Sequence, residues 1–132
     1  MRYVVAGATG PVGVAIVRAL VADNQDVTVL SRRPDLARRS LPDMATVVPW
    51  SATQADEVID VISSTDVVIN LAGASIGSRP WTARRKRQIL ESRVAATTAL
   101  VDTMAALPSA ERPSVLINAS GIDYYGIDQM AS

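Results

Sequence analysis

Short apolar runs alternate with longer stretches of helical periodicity along this chain. Tyr3–Ala6, Val27–Leu30, Ala45–Pro49, Asp66–Leu71 and Val115–Ala119 have the length and β-branched content of buried strands. Between the first two, from about Pro11 to Asp23, Val12, Ile16, Val17 and Leu20 fall on one face of a predicted helix. Ser51 or Thr53 is placed to cap a helix reaching Ser63, with Val58, Ile59 and Ile62 inward. Thr82 is a plausible cap for a long helix to about Leu107, whose stripe is Leu90, Val94, Thr97, Val101 and Met104. Residues 35 to 44 read as a loop or a short helix, Pro108 to Pro113 as a linker, and Ser120 to Gly126 as a polar loop.

Strand and helix alternate throughout, which predicts a parallel sheet wound right-handedly and covered on both faces. The fourth run is apolar on successive positions, as a central parallel strand should be. No repeat or internal boundary interrupts the pattern, so residues 1–132 read as one domain.

The junction of first strand and first helix carries the chemistry. Gly7, Gly10 and Gly13 follow the strand at a spacing of three. Strand, glycine turn and helix together make a dinucleotide-binding arrangement. Gly7 allows a sharp turn at the strand end, Gly10 allows close approach of a pyrophosphate, and Gly13 allows the helix to pack closely. The helix N–H groups and dipole then face the anion, and Pro11 fits the first turn because its missing N–H has no partner there. No Gly-Lys-Ser/Thr follows, so this is not a P-loop. The fold expected is therefore α/β: a Rossmann-type doubly wound parallel sheet, three-layer αβα, with strand order 3-2-1-4-5. Ligand belongs at the carboxyl ends of strands one and four, where Gly7 to Val12, Ser31 to Arg33 and Ala72 to Ala74 lie.

Composition removes several alternatives. The chain has 132 residues, 48% of them hydrophobic, which suits a soluble domain with a real core. Its formal net charge is zero, so no overall basic field draws in nucleic acid. There is no cysteine and no histidine. That excludes a disulfide framework, thiolate or imidazole metal sites and Ser-His-Asp catalysis. No apolar run approaches the roughly 18 residues of a membrane span. The start, Met-Arg-Tyr-Val-Val, enters a strand without a signal peptide, so a cytoplasmic location is expected.

With these segments placed, the chain resembles the short-chain dehydrogenase/reductase superfamily, and more closely its extended or atypical branch of nucleoside-diphosphate-sugar-epimerase-like proteins. The matching pieces run from Ala6-Gly7-Ala8-Thr9-Gly10-Pro11-Val12-Gly13 through Leu30-Ser31-Arg32-Arg33-Pro34 and Asn70-Leu71-Ala72-Gly73-Ala74 to Ile89-Leu90-Glu91-Ser92-Arg93-Val94. They end at Asn118-Ala119-Ser120 and Tyr124-Tyr125-Gly126, in the expected order. The resemblance implies an NAD(P)-dependent oxidoreductase or epimerase acting on a small molecule, one that could be phosphorylated. It points to Ser120 and Tyr125 as the active-loop pair, although Gly121 sits closer to the register counted back from Tyr125-Gly126. Such proteins are longer than this chain, whose carboxyl-terminal substrate part is absent. The one lysine is Lys86, and no Tyr-x-x-x-Lys pair occurs. Where many members carry a relay asparagine, the matching position is Arg93.

The cofactor-binding residues expected are therefore Gly7, Ala8, Thr9, Gly10, Pro11, Val12, Gly13, Ser31, Arg32, Arg33, Leu71, Ala72 and Gly73, with no metal. Ser31, Arg32 and Arg33 stand where NAD binders usually place an acid. A hydroxyl and a guanidinium suit a 2′-phosphate, which an aspartate would repel, so NADP is expected over NAD. The alternative is that both arginines are solvated loop residues. Arg79, Arg84, Arg85, Lys86, Arg87 and Arg93 form a basic cluster: an anion site, or more simply a solvated helix face. Trp50 and Trp81 read as packing residues. A homodimer through the long helix is a further expectation. Three functional readings stay open: an NADP-dependent enzyme, a non-catalytic NAD(P)-binding sensor or regulatory module, and a phosphate-binding interaction protein.

Overall fold

In a computed structural model, residues 1–8, 10–51, 58–71 and 83–118 are described. Five strands, β1 (Arg2–Ala6), β2 (Asp26–Ser31), β3 (Thr46–Pro49), β4 (Val67–Asn70) and β5 (Val115–Asn118), form one parallel sheet in the order β3-β2-β1-β4-β5. Helices α1 (Pro11–Ala22), α2 (Pro34–Ser40), α3 (Ile59–Ile62) and α4 (Ala83–Ala106) connect them. The expected doubly wound α/β architecture and its strand order are what the chain adopts.

Side chains on a strand alternate between faces, and that alternation builds two cores. Val4, Ala6, Leu30 and Val68 point to one side, where they meet Val58 and Ile62 near α3 and Ala96, Ala99 and Leu100 of α4. Val5, Val27, Val29, Val67 and Ile69 point to the other, against Val17 of α1 and Ala37 of α2. Trp50 is buried in the first core, the packing role expected of it.

Loop chemistry ends the elements where the sequence suggests. After α1, Asn24 takes a left-handed φ of 61°. The Asn24 N–H donates to Val21 O at 3.0 Å and the Gln25 N–H to Leu20 O at 3.0 Å, which satisfies the last carbonyls of the helix. Residues 35 to 44, left between loop and helix, hold α2, with Pro34 opening it, Asp35 in its first turn and Arg38 and Arg39 in its last. The linker between the prolines contains a 3₁₀ turn, Ser109–Glu111. The helix expected from Ser51 or Thr53 is described over Ile59–Ile62, with Val58 buried at its start; residues 52–57, like Thr82 and Trp81, lie outside the described residues.

Two helix faces differ from expectation. In α1, Val17 is buried and Ile16 and Leu20 are half-buried, but Val12 is 67% exposed at the first turn. In α4, the buried positions among the described residues are Ala96, Ala99, Leu100 and Thr103, followed by Leu107. Leu90, Val94 and Val101 of the expected stripe are exposed, and only Thr97 and Met104 are half-buried. The helix is turned by about one residue from that expectation, so that Ala96, Ala99 and Leu100 join the core that holds Leu30, Ile62 and Val68. Replacing Val101 by serine should therefore leave stability within about 0.5 kcal/mol of the parent. A larger loss in a denaturant melt would restore the expected stripe.

Candidate functional site

The carboxyl ends of β1, β2, β4 and β5 converge on one edge of the sheet, with the start of α1 at its centre. Gly7 follows β1 with φ 78°, a backbone state that side chains oppose, and its N–H donates to Leu30 O at 3.1 Å. The chain thus turns away from the sheet while still tied to β2. Ala8 is fully buried under the turn.

Gly10 and Gly13 are glycine for opposite reasons. An added Cβ on Gly13 would lie 2.6 Å from Ala8 Cα and 2.9 Å from Ala8 C. The close packing is between helix and turn rather than between helix and strand, and backbone atoms cannot move aside cheaply. An added Cβ on Gly10 would meet no described heavy atom within 4 Å. Gly10 is also extended, with φ −79° and ψ 170°, which any residue can adopt. Neither its conformation nor packing among the described residues requires glycine there.

Gly10 is the N-cap of α1 and supplies no side chain to its free N–H groups, and the first turn carries no acid. Val14 N–H closes on Gly10 O at 2.9 Å, while Pro11 has no N–H to satisfy. The N–H groups of Val12 and Gly13 therefore stand at the positive end of a twelve-residue helix below an open space. Such an end accepts a phosphate without further help.

At the neighbouring end of β2, Ser31 is buried and its Oγ accepts the Arg33 N–H at 3.0 Å. Its carbonyl accepts the Trp50 N–H at 2.9 Å, which joins the ends of β2 and β3. Arg32 and Arg33 are exposed, and neither guanidinium has an ion-pair partner among the described residues. Arg38, by contrast, is held by Asp35 at 3.2 Å. The structure thus brings Gly7, Ala8, Gly10, Pro11, Val12, Gly13, Ser31, Arg32 and Arg33 to one edge. Leu71 joins them, its N–H donating to Ala6 O at 2.8 Å. Thr9, Ala72, Gly73, Ser120 and Tyr125 lie outside the described residues.

One arrangement was not foreseen. Asn70, the last residue of β4, is buried. Its Nδ2 donates to Thr97 Oγ1 of α4 at 3.0 Å and to Asn118 Oδ1 of β5 at 3.0 Å. The sequence signal was an asparagine closing an otherwise apolar strand, since a buried amide needs partners. Within the basic cluster, Arg84 and Arg87 are exposed at the start of α4, whose first turn holds no acid. Among the described residues no cluster of metal-ligating side chains occurs, and no helix is long and apolar enough to cross a membrane.

Comparison with known proteins bears on this geometry. The sequence model of the NAD dependent epimerase/dehydratase family matches residues 3–131. The chain is 34% identical over 131 residues to the epimerase family protein SDR39U1 homolog, chloroplastic, of Arabidopsis thaliana, covering 98% of this chain and 37% of that protein. It is 37% identical over 127 residues to an epimerase family protein of Staphylococcus saprophyticus, covering 96% and 40% respectively. Among solved structures it resembles human epimerase family protein SDR39U1, isoform 2, crystallised with NADPH: TM-score 0.69, 28% identity, 95% of this chain and 38% of that one. The chain thus spans about two fifths of the length of these relatives.

Proposed function

We propose that this chain, which belongs to the NAD dependent epimerase/dehydratase family, uses its glycine turn to hold NADP(H) as the cofactor-binding part of an oxidoreductase or nucleotide-sugar-epimerase-like enzyme. One observation carries the reading: among the described residues the space over Gly10 stands open above the uncapped start of α1, whereas the space over Gly13 is filled by Ala8. A glycine with no conformational reason, and no packing reason among the described residues, is explained by a ligand that occupies the position of its Cβ. In this reading the N–H groups of Val12 and Gly13 bind the pyrophosphate. Ser31 and the arginines bind the adenine ribose, and Leu71, Ala72 and Gly73 run beside the nicotinamide half. The nicotinamide supplies hydride chemistry when bound, and the protein supplies binding and orientation.

The NADPH in the human relative's structure supports the choice of cofactor. Ser31 closes β2 without a carboxylate to repel a 2′-phosphate, and Arg32 and Arg33 have no ion-pair partner among the described residues. Charge-assisted hydrogen bonds of this kind contribute about 1.5–3 kcal/mol. NADPH should therefore bind roughly ten- to a hundredfold more tightly than NADH. Arg32→Ala should remove most of that preference, with Arg33 the reserve. Calorimetry with both cofactors on the parent, Arg32→Ala and Arg33→Ala tests this. Equal affinity in the parent, or an intact preference in both variants, contradicts it.

Ser120 and Tyr125 remain the proposed active-loop residues, and a small molecule, phosphorylated or not, the proposed substrate. Cytoplasmic location and self-association through α4, where Leu90, Val94 and Val101 are exposed, belong to the same proposal. A second reading is a binding module without chemistry, which would hold the same cofactor at the same glycine turn. Turnover of NADPH with a panel of carbonyl compounds, measured on a version carrying the relatives' carboxyl-terminal portion, separates the two.

A further inference from the structure

We propose that the cleft between the amino ends of β1, β2 and β3 and the end of α3 is a second small-molecule site, one that takes a neutral polyhydroxylated molecule of the sugar or polyol class. It lies on the edge of the sheet opposite the glycine turn. The proposal goes beyond the cofactor reading and does not rest on it.

The observation is a polar patch where a covered parallel sheet should be apolar. Strands buried on both faces carry nearly continuous apolar residues. On the face toward α3 and α4, Val4, Leu30 and Val48 follow that rule. One step toward the amino ends, the same face carries Arg2, Thr28 and Thr46, with Asp26 beyond them. The other face stays apolar at this level, with Val27 and Val29 buried and Tyr3 and Val47 packed against that core. The change in chemistry is therefore confined to one face and is not a general property of the strand ends.

These residues floor a cavity of about 240 Å³, with Asp60 and Val61 of α3 and Ser63 and Thr65 after it on the opposite wall. Drug-sized ligands occupy roughly 300–1,000 Å³, so this space suits a smaller molecule. Thr65 is buried, and its hydroxyl donates to Val61 O at 2.9 Å. The hydroxyls of Thr28, Thr46 and Ser63 have no hydrogen-bond partner among the described residues, although Thr28 and Ser63 are half-buried. Thr28 and Thr46 pair across the ladder, so two free hydroxyls stand side by side.

The walls select the ligand. A hydroxyl donates and accepts, a carboxylate only accepts, and a guanidinium only donates. A polyol matches such a mixture, because each of its own hydroxyls does both. Arg2 lies 3.5 Å from Asp26, while Asp60 has no ion-pair partner among the described residues. Two carboxylates against one guanidinium disfavour a phosphate. No cluster of metal-ligating side chains occurs among the described residues. Val48 and Val61, both half-buried, offer apolar contact to the C–H side of a sugar ring.

The test is an amide NMR titration of the isotope-labelled chain with glucose, myo-inositol and glycerol. At least one of the three should give saturable shifts at Thr28, Thr46 and Ser63, with millimolar affinity as befits a small open site. Thr28→Val combined with Thr46→Val keeps the branched shape that suits a strand and removes both hydroxyls. That variant should bind the same probe at least about tenfold more weakly. Its NADPH affinity should not change, because the glycine turn lies at the other end of the strands. Asp60→Ala, at an exposed position, should also weaken the probe and serves if the double variant fails to fold, with a thermal melt as the check. No saturable shift with any of the three probes overturns the proposal. Shifts that persist undiminished in the variants overturn it as well.

Discussion

Gly10→Val should abolish NADP(H) binding while leaving the fold standing. The position is extended, so a β-branched residue meets no backbone strain, and its Cβ meets nothing among the described atoms within 4 Å. The cost to the chain is confined to a poorer N-cap, about 1 kcal/mol or less. The cost to the ligand is larger. Valine methyls would stand above the Val12 and Gly13 N–H groups, where the pyrophosphate must make its contacts. Affinity should fall roughly a hundredfold or more, since both the phosphate hydrogen bonds and the close approach are lost. Calorimetry with NADPH and a thermal melt on one sample read the two effects separately. Undiminished affinity rules out this placement of the cofactor.

Gly13→Ala should do the reverse. The Cβ would arrive 2.6 Å from Ala8 Cα, closer than packed atoms tolerate, and Ala8 is fully buried. Either α1 moves off the sheet or the turn reshapes. Val17, which α1 buries against β1 and β4 residues, is the next contact to suffer. Overpacking of this kind costs about 1–3 kcal/mol, and the rigid neighbour places this case at the upper end. A domain this size should then melt several degrees lower, because 1 kcal/mol moves Tm by about 2–8 °C across the relevant sizes. NADPH affinity should decline only as far as the turn is displaced. A variant as stable as the parent would show that the turn is softer than its packing implies. Together the two substitutions separate a glycine kept for the ligand from one kept for the fold, although both belong to one motif.

The two faces of α4 show how far sequence reading reaches. Periodicity locates the helix, but of the stripe it marks at steps of four and three, Leu90, Val94 and Val101 are exposed and Thr97 and Met104 are half-buried. The residues of α4 that join the core with Leu30 and Val68 are instead the small Ala96 and Ala99, together with Leu100. No single-sequence pattern separates an alanine chosen for close approach from one that is merely a good helix former. Val12 is a similar case: its spacing suits the core face of α1, yet it lies in the turn that faces the open site.

By itself the sequence determined the order of elements, the parallel sheet, the glycine turn and the basic end of β2. These depend on local matters: strand runs, helical spacing, the conformational freedom of glycine and the lack of a carboxylate after Leu30. What only the tertiary structure decided is how distant residues act on one another. Gly13 is constrained by Ala8, and Gly10 by nothing among the described residues. Asn70, Thr97 and Asn118, separated by 27 and 48 positions along the chain from Asn70, meet as one network only because β4, α4 and β5 converge at one edge. Burial and hydrogen-bond direction belong to neighbours in space, and a one-dimensional pattern carries neither until the chain is folded.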